Sequence, residues 1–540
     1  MTAPPASQTD EVADATVDLA TDAAAATTSA ASRRAIGGVA RGGVAGILGA
    51  GVAGLAGLAV TWLVAHRLGP EHAGAFFAAT AAFVLTSTLA KLGTQTGLVY
   101  WPARLRARGH GFLLGACLRS ALTPVVCAAL VVGVVLFVAA PELARLTAGE
   151  APPAVHAELV MQLHLLSAFV PLAVLSDTLL AATRGYRLIR PTVLLDKLVR
   201  PGLQTVGVTA VALSGAAGPS LFALAWALPY LPTALLAAYA LHRAHTQTMA
   251  DIVPTRVKRS HRASMRKAFW RFTGPRSVAS VAQLALQRVD VLLVAALAGL
   301  GAAGLYAVAG RFVVLGQFAN QGITQAVQPR LAEALAVKDR TAANTLYQTA
   351  TGWLMLLTWP LYLLVLTYAP AYLGIFGPAF REGASIVAVL ALAMLVATGC
   401  GMVDIVLSMA GRTSWNLGNV LVALGLTIAL DLALIPRLGA LGAAIGLASA
   451  VVANNMLPLA QVGLGLRLHP FGAGWVSAAA VTLLSFGAAP RAVGFVLGNG
   501  PFATVVALGV AAVTYLVGLR LLRGPLALDA LKALRPGRRR

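Results

Sequence analysis

The sequence predicts an all-α polytopic membrane protein with two six-helix lobes, related as a parallel pseudo-repeat, plus two additional C-terminal transmembrane helices, 14 spans in all. Three observations predict it. The 540 residues are 58% hydrophobic and only 11% charged, with a mean hydropathy of +0.79. Soluble domains carry about 25% charged residues, and so few charges cannot cover a soluble surface of this size. Apolar runs long enough to cross a bilayer recur along the whole chain. The two halves also share local patterns.

A helix crossing the hydrocarbon core needs about 20 mostly apolar residues. Such runs occupy 44–66, 73–98, 112–140, 158–182, 192–214, 220–241, 277–299, 302–325, 345–369, 384–409, 416–435, 440–464, 471–489 and 501–522. Abundant Ala, Gly and Val fit close helix packing through small residues. Long polar/apolar alternation, the mark of a β-barrel, is absent. With the N-terminus inside, inner segments carry 32 of the 41 Lys and Arg residues and outer loops carry 5. Basic residues accumulate on the cytoplasmic side, so both termini are expected in the cytoplasm of a multi-pass inner-membrane protein. The expected organisation is a disordered cytoplasmic tail (1–43), an N-terminal six-helix lobe (44–241), a basic cytoplasmic linker (242–276), a C-terminal six-helix lobe (277–464), two further transmembrane helices (465–522) and a basic cytoplasmic tail (523–540). The stretch before Arg33 holds Asp10, Glu11, Asp14, Asp18 and Asp22 and no Lys or Arg, so it does not read as a signal peptide. The linker reads as a positive-inside connection or as a surface helix on anionic lipid.

Two matches between the halves carry the repeat. Gly69, Ala73, Gly74, Phe76 and Ala79 correspond, at one constant offset, to Gly299, Ala303, Gly304, Tyr306 and Ala309. Gly185, after the fourth span, corresponds to Gly411, after the tenth. Duplication of a six-span unit predicts two bundles related by an axis along the membrane normal, with a cavity between them.

Several chemistries find no support. The net charge of +22 could suggest nucleic acid, but the basic residues lie in short clusters between apolar runs, which suits anionic membrane lipids instead. Cys117, Cys127 and Cys400 lie in apolar segments without metal-ligand spacing and read as small buried hydrophobes. No GxxxxGK[ST], HExxH or GxSxG motif occurs, so neither ATP hydrolysis nor a catalytic constellation is indicated. No cofactor and no enzyme activity are expected.

Charge inside a bilayer is costly and points to a wet cavity, a partner or snorkelling. Lys91, Arg119, Asp177, Arg288, Asp290, Arg311, Asp404 and Asp431 lie within the predicted spans. Arg119 is close enough to the end of its span to snorkel, Asp177 and Asp404 adjoin basic loops, and Asp431 is expected to pair with Arg437. Lys91, Arg288 and Arg311 lack so simple an explanation. Gln283, Gln287 and Asp290 share one helical face, and Gln317 and Gln321 begin a second polar stripe. These faces read either as hydrogen bonding between helices or as a cavity wall.

Leu68-Gly69-Pro70-Glu71-His72-Ala73-Gly74-Ala75-Phe76 resembles the stretch after the first span of polysaccharide-biosynthesis (oligosaccharide) flippases. Arg288-Val289-Asp290 with Gly304-Leu305-Tyr306-Ala307, Pro329, Gly411-Arg412-Thr413 and Ile435-Pro436-Arg437-Leu438-Gly439-Ala440-Leu441-Gly442-Ala443-Ala444 are similar to later motifs of that family, over roughly residues 35–520. His72 and Ala73 depart from its pattern. The family belongs to the multidrug/oligosaccharidyl-lipid/polysaccharide exporter superfamily. The resemblance implies alternating access by rocking of two lobes, coupled to an ion gradient, and a polyprenyl-diphosphate-linked oligosaccharide moved from inner to outer leaflet. Polysaccharide-assembly proteins are its candidate partners. It also implies a cation set on the diphosphate: Lys91, Arg288 and Arg311, with Arg119 as a weaker fourth and Asp290, Gln283, Gln287, Gln317 and Gln321 on the same cavity wall. The competing expectations are a multidrug/cation antiporter of the same superfamily, a lipid II flippase, and a membrane polymerase or scaffold.

Overall fold

The computed structural model describes residue 49 and residues 51–528, apart from 149–150, 187, 216–217, 251, 253–257, 337 and 499. The expected N-terminal tail (1–43), and the basic tail beyond residue 528, lie outside the described residues. The described residues form helices and turns, with no strand among them.

The first half runs α1 (51–90), α2 (Thr94–Ala107), α3 (Leu114–Ala148), α4 (Pro153–Gly185), a π-helical turn (Thr192–Val199) leading directly into α5 (Arg200–Ser214), α6 (Pro219–Ala227) and α7 (Tyr230–Ala250). The second half runs α8 (Arg259–Ala309), α9 (Arg311–Ala336), α10 (Arg340–Thr367), α11 (Ala369–Gly374), α12 (Ala384–Gly399), α13 (Val403–Met409), α14 (Thr413–Leu438) and α15 (Ala440–Leu466). The chain ends in α16 (Ala473–Thr482), α17 (Ala489–Leu497) and α18 (Pro501–Leu521). Proline opens α4, α6 and α18, where its missing N–H has no helical partner to lose. Gly215 closes α5 in the left-handed conformation.

Eleven helical stretches among the described residues are long and apolar enough to cross a membrane. That number is smaller than the 14 expected runs because two stretches each take in two runs and the expected run 192–214 is not among the eleven. Gly51–Arg106 is 56 residues long. As one straight helix it would reach about 84 Å, far beyond a hydrocarbon core of about 30 Å. It turns at Gly69, whose φ is +71. The 51-residue α8 breaks the same way at Gly299, with φ 87 and ψ 169. Positive φ is easy for glycine and costly for other residues. Gly69 and Gly299 therefore share a positive φ as well as a sequence pattern. The second pair does not: Gly411 has φ +79, whereas Gly185 is a buried residue closing α4.

The segment 242–276 is not an extended connection. α7 continues through Ala250 and α8 starts at Arg259, so helix covers most of it. The front of α8 lies against the first half of the chain. The Trp270 indole N–H donates to the Ser120 carbonyl at 3.2 Å, Phe272 stacks on Tyr100 with centroids 4.2 Å apart, and Met265 and Phe269 are buried among α2–α4 and α7 side chains.

The largest core cluster spans both halves, from Phe76, Phe83 and Phe222 to Tyr306, Phe312 and Tyr362. The outward faces of α3 (Val134, Val135, Phe137, Val138) and α18 (Phe502, Val505, Val513) stay exposed and apolar. Lipid is as apolar as these side chains, so packing between helices draws on close contact rather than on expulsion of water.

Candidate functional site

A cavity of about 260 Å³ opens where the two halves meet. Gly57 and Thr61 of α1 line one side, and Phe76, Phe77 and Thr80, beyond the Gly69 turn, line another. The π-helical turn and α5 supply Asp196, Lys197, Arg200 and Gln204; Trp226 and Tyr230 come from the end of the first half. The second half contributes Arg288 from α8 and Arg311 from α9.

Arg288 lies about three helical turns before Gly299, and Arg311 about three turns after it. Each is therefore about 16–18 Å from the Gly299 break, near the middle of a hydrocarbon core of about 30 Å. Neither forms a salt bridge among the described residues, and the Nε of each is buried without a hydrogen-bond partner. The Arg311 guanidinium stands 5.4 Å from the centre of the Phe77 ring, a cation–π contact that supports a desolvated charge. The two guanidiniums lie within electrostatic reach of each other.

A second group of charges adjoins them. The Arg200 Nη1 donates to the Asp177 Oδ1 at 3.1 Å, and its Nη2 donates to Asp196 one turn earlier. Its guanidinium faces the Tyr230 ring at 5.0 Å. The Lys91 Nζ lies 2.6 Å from the Asp177 Oδ2, and the Lys197 Nζ lies 2.8 Å from the Asp196 Oδ2. Three cations share two carboxylates, leaving one positive charge in surplus. Arg288 and Arg311 add two further cations, offset only in part by Asp290, which lies within electrostatic reach of Arg288, so the local balance stays positive. Burying like charges without counter-charges is unfavourable, so the arrangement suits an anion that fits among them.

The sequence-derived candidates fall into different places. Arg288 and Arg311 line the cavity. Lys91 does not, because α1 ends there: Leu92 and Gly93 take positive φ, about 33 Å along the helix from Gly69. It reaches the cavity only through Asp177 and Arg200. Arg119 is exposed on α3, its Nε donating to the Gly115 carbonyl at 3.3 Å. Gln283, Gln317 and Gln321 are exposed and are not among the residues lining the cavity; the Gln287 side chain lies outside the described residues.

Asp290 turns away from the cavity into the second half. It is 4% exposed, and its carboxylate accepts from the Tyr306 hydroxyl and, at 2.8 Å, from the Val291 amide. Asp431 on α14 is fully buried within electrostatic reach of Asp290. The expected Asp431–Arg437 pair does not form. Their spacing along the helix turns the second side chain about 240° from the first, so the two leave different faces. Neither Asp431 carboxylate oxygen has a hydrogen-bond partner, and neither does the Thr427 hydroxyl one turn earlier. A Cβ at Gly446 of α15 would sit 2.1 Å from the Asp431 Oδ1. The glycine leaves that carboxylate its space.

Sequence reasoning missed Arg200, Lys197 and Asp196; it counted Lys197 and Arg200 with the basic inner segment 184–200 and did not single out Asp196. The signal was present: Asp196 and Arg200 are one helical turn apart, hence on one face, and lie inside the predicted span 192–214. Asp177 was expected to pair with its neighbouring basic loop. It does so with Arg200, and with Lys91 as well.

Residues 39–335 match the family model described as "Polysaccharide biosynthesis protein". No curated protein matches significantly. Among solved structures, the chain is similar to a lipid II flippase MurJ in an inward closed conformation, at 13% identity and a TM-score of 0.67, with 88% of this chain and 98% of that one covered. It is also similar to an inward-facing multidrug resistance MATE family transporter of the MOP superfamily, at 18% identity and a TM-score of 0.59, covering 77% and 94%. A third similar structure is a MOP superfamily transporter from Pyrococcus furiosus, at 17% identity and a TM-score of 0.53, covering 80% and 95%. At these identities the likeness is one of fold.

Proposed function

The chain belongs to the polysaccharide biosynthesis protein family, and on that premise we propose that it flips a polyprenyl-diphosphate-linked oligosaccharide from the inner to the outer leaflet by alternating access. One observation carries this reading: two mid-membrane guanidiniums, Arg288 and Arg311, line the cavity without a salt bridge to any carboxylate among the described residues, Asp290 acting on Arg288 only at longer range. A diphosphate supplies the missing negative charge. Its oxygens match the planar donor fork of arginine, and the Arg200 network contributes one further net positive charge. Phe77, Trp226 and Tyr230 offer ring faces to sugars. A cation-exporting antiporter would need the opposite balance, an excess of acidic groups in its cavity.

In this reading the chain makes 14 passes in two rocking lobes, and its basic end, with Arg104, Arg184 and Arg259, faces the cytoplasm. The drive is a monovalent cation held in the second half by Asp431 and Thr427, beside Asp290. Hard cations prefer oxygen ligands, and those three side chains supply carboxylate and hydroxyl oxygens away from water. Arg288 and Asp290 sit close together on α8, so cation binding and headgroup binding act on one helix. Lipid II shares the diphosphate and differs in its sugars.

The test is flipping of a fluorescent undecaprenyl-diphosphate oligosaccharide by the full chain in proteoliposomes, with lipid II and a cationic dye as parallel substrates. Flipping that is abolished in the Arg288→Ala/Arg311→Ala variant supports the reading. Dye efflux without lipid flipping would overturn it.

A further inference from the structure

At the Gly69–Gly299 end of the molecule the two halves touch backbone to backbone. A Cβ added at Gly74 would lie 1.7 Å from the Leu300 carbonyl oxygen and 3.0 Å from the Gly304 nitrogen. A Cβ added at Gly304 would lie 2.2 Å from the Pro70 carbonyl oxygen and 3.0 Å from the Gly74 nitrogen. Gly74 and Gly304 are equivalent positions of the repeat, and so are Pro70 and Leu300. Each half therefore makes the same contact on the other: the glycine one turn into its helix meets the carbonyl that opens the partner helix. Ala73 and Ala303 beside them are fully buried. Apart from this crossing, the indole N–H of Trp62 donates to the Ile375 carbonyl at 2.7 Å, tying the end of the first span to the second half.

We propose that the Gly74–Gly304 crossing is the gate at this end of the transporter, a seam that closes the cavity when the glycines interlock and parts when it opens there. The crossing lies one helix turn beyond Gly69 and Gly299, between those turns and the cavity lining at Phe76, Phe77 and Arg311. No ion pair between Lys or Arg and Asp or Glu spans it among the described residues. Its contacts are close backbone contacts, each individually weak, so it closes tightly and releases without separating charges. Side chains that ordinarily keep helices about 8–10 Å apart are missing on both sides, and that absence lets the halves seal at main-chain distance. A methyl group at either position forces the halves apart by more than an ångström, because the nearest neighbours are carbonyl oxygens rather than flexible side-chain ends. The inference rests on alternation between two open states and not on which substrate is carried, and its readouts need no substrate.

Two experiments on the full chain in vesicles test it, in a background with Cys117, Cys127 and Cys400 replaced. In the first, Thr80→Cys reports cavity access to a membrane-impermeant maleimide added on the Gly69 side. Gly74→Ala and Gly304→Ala should each raise labelling roughly tenfold, as expected for a gate biased open by about 1.4 kcal/mol. Gly301→Ala should leave labelling unchanged, since its Cβ would meet only the Glu71 Cγ at 3.6 Å. In the second, Glu71→Cys with Gly301→Cys uses that same proximity to join the halves by a disulfide. The pair should cross-link readily under mild oxidant and more slowly with Gly74→Ala added. The cysteine pair without Gly74→Ala keeps both glycines, so its cross-linking tests the closed seam without either alanine variant. Unchanged labelling in both alanine variants, or a cysteine pair that does not cross-link, would overturn the proposal.

Discussion

Replacing Arg311 by alanine separates a binding role from a structural one. The Arg311 guanidinium has no carboxylate partner among the described residues, its Nε makes no hydrogen bond, and it lies near a second unpaired cation, Arg288. The guanidinium faces the Phe77 ring at 5.4 Å, a contact worth about 1–2 kcal/mol when desolvated. Removing the side chain forfeits that contact but also removes a desolvated charge and its repulsion from Arg288. The folded protein should therefore change in stability by no more than about 1 kcal/mol in either direction. Hydrogen bonds to a charged group contribute about 1.5–3 kcal/mol each. Losing one of them to a diphosphate should weaken binding by roughly 10- to 100-fold, and losing two by about 100-fold or more. Thermal unfolding in detergent measures the first effect, and equilibrium binding of a fluorescent diphosphate lipid measures the second. A variant that melts many degrees lower but binds normally would refute the reasoning, because Arg311 would then be a structural residue.

Arg200→Ala should behave in the opposite way: Asp177 and Asp196 lose their shared partner, which should cost about 3–5 kcal/mol of stability, as for other broken buried pairs, and lower the melting temperature. Lys91→Ala should cost less, since Asp177 keeps Arg200, and comparison of the two melting curves checks the order. Asp431→Asn keeps the size of the side chain and removes its charge; flipping should lose its dependence on the cation gradient while diphosphate binding persists, as measured with and without an imposed gradient. Gly446→Ala, whose Cβ would sit 2.1 Å from the Asp431 Oδ1, should raise the cation concentration needed for half-maximal flipping.

Composition and period made the helical membrane fold legible, because the apolar runs are long and the charges few. The repeat was legible at Gly69 and Gly299, where a demanding backbone conformation constrains residue type. It was weaker at Gly185 and Gly411, whose conformations differ. Arg288 and Arg311 stood out as charges deep in apolar runs, and both line the cavity. Lys91 looked equally deep, but Leu92 and Gly93, both of positive φ, end its helix immediately afterwards, which a count of apolar residues does not reveal. Arg200, Lys197 and Asp196 were hidden by their basic neighbours: a cluster counted toward orientation conceals members that turn inward. The Asp431–Arg437 expectation relied on proximity in sequence, whereas helical phase sends the two apart. The contact between Gly74 and Gly304 joins opposite halves of the chain, and only a structure brings them together.

The central claim is that unpaired arginines in a membrane cavity hold a lipid diphosphate during its passage between leaflets. Flipping of a labelled undecaprenyl-diphosphate oligosaccharide in proteoliposomes tests it most directly, comparing the parent chain with Arg288→Ala/Arg311→Ala at matched, folded protein levels. The parent should move the lipid to the opposite leaflet and the double variant should not. Equal flipping by both would contradict the claim.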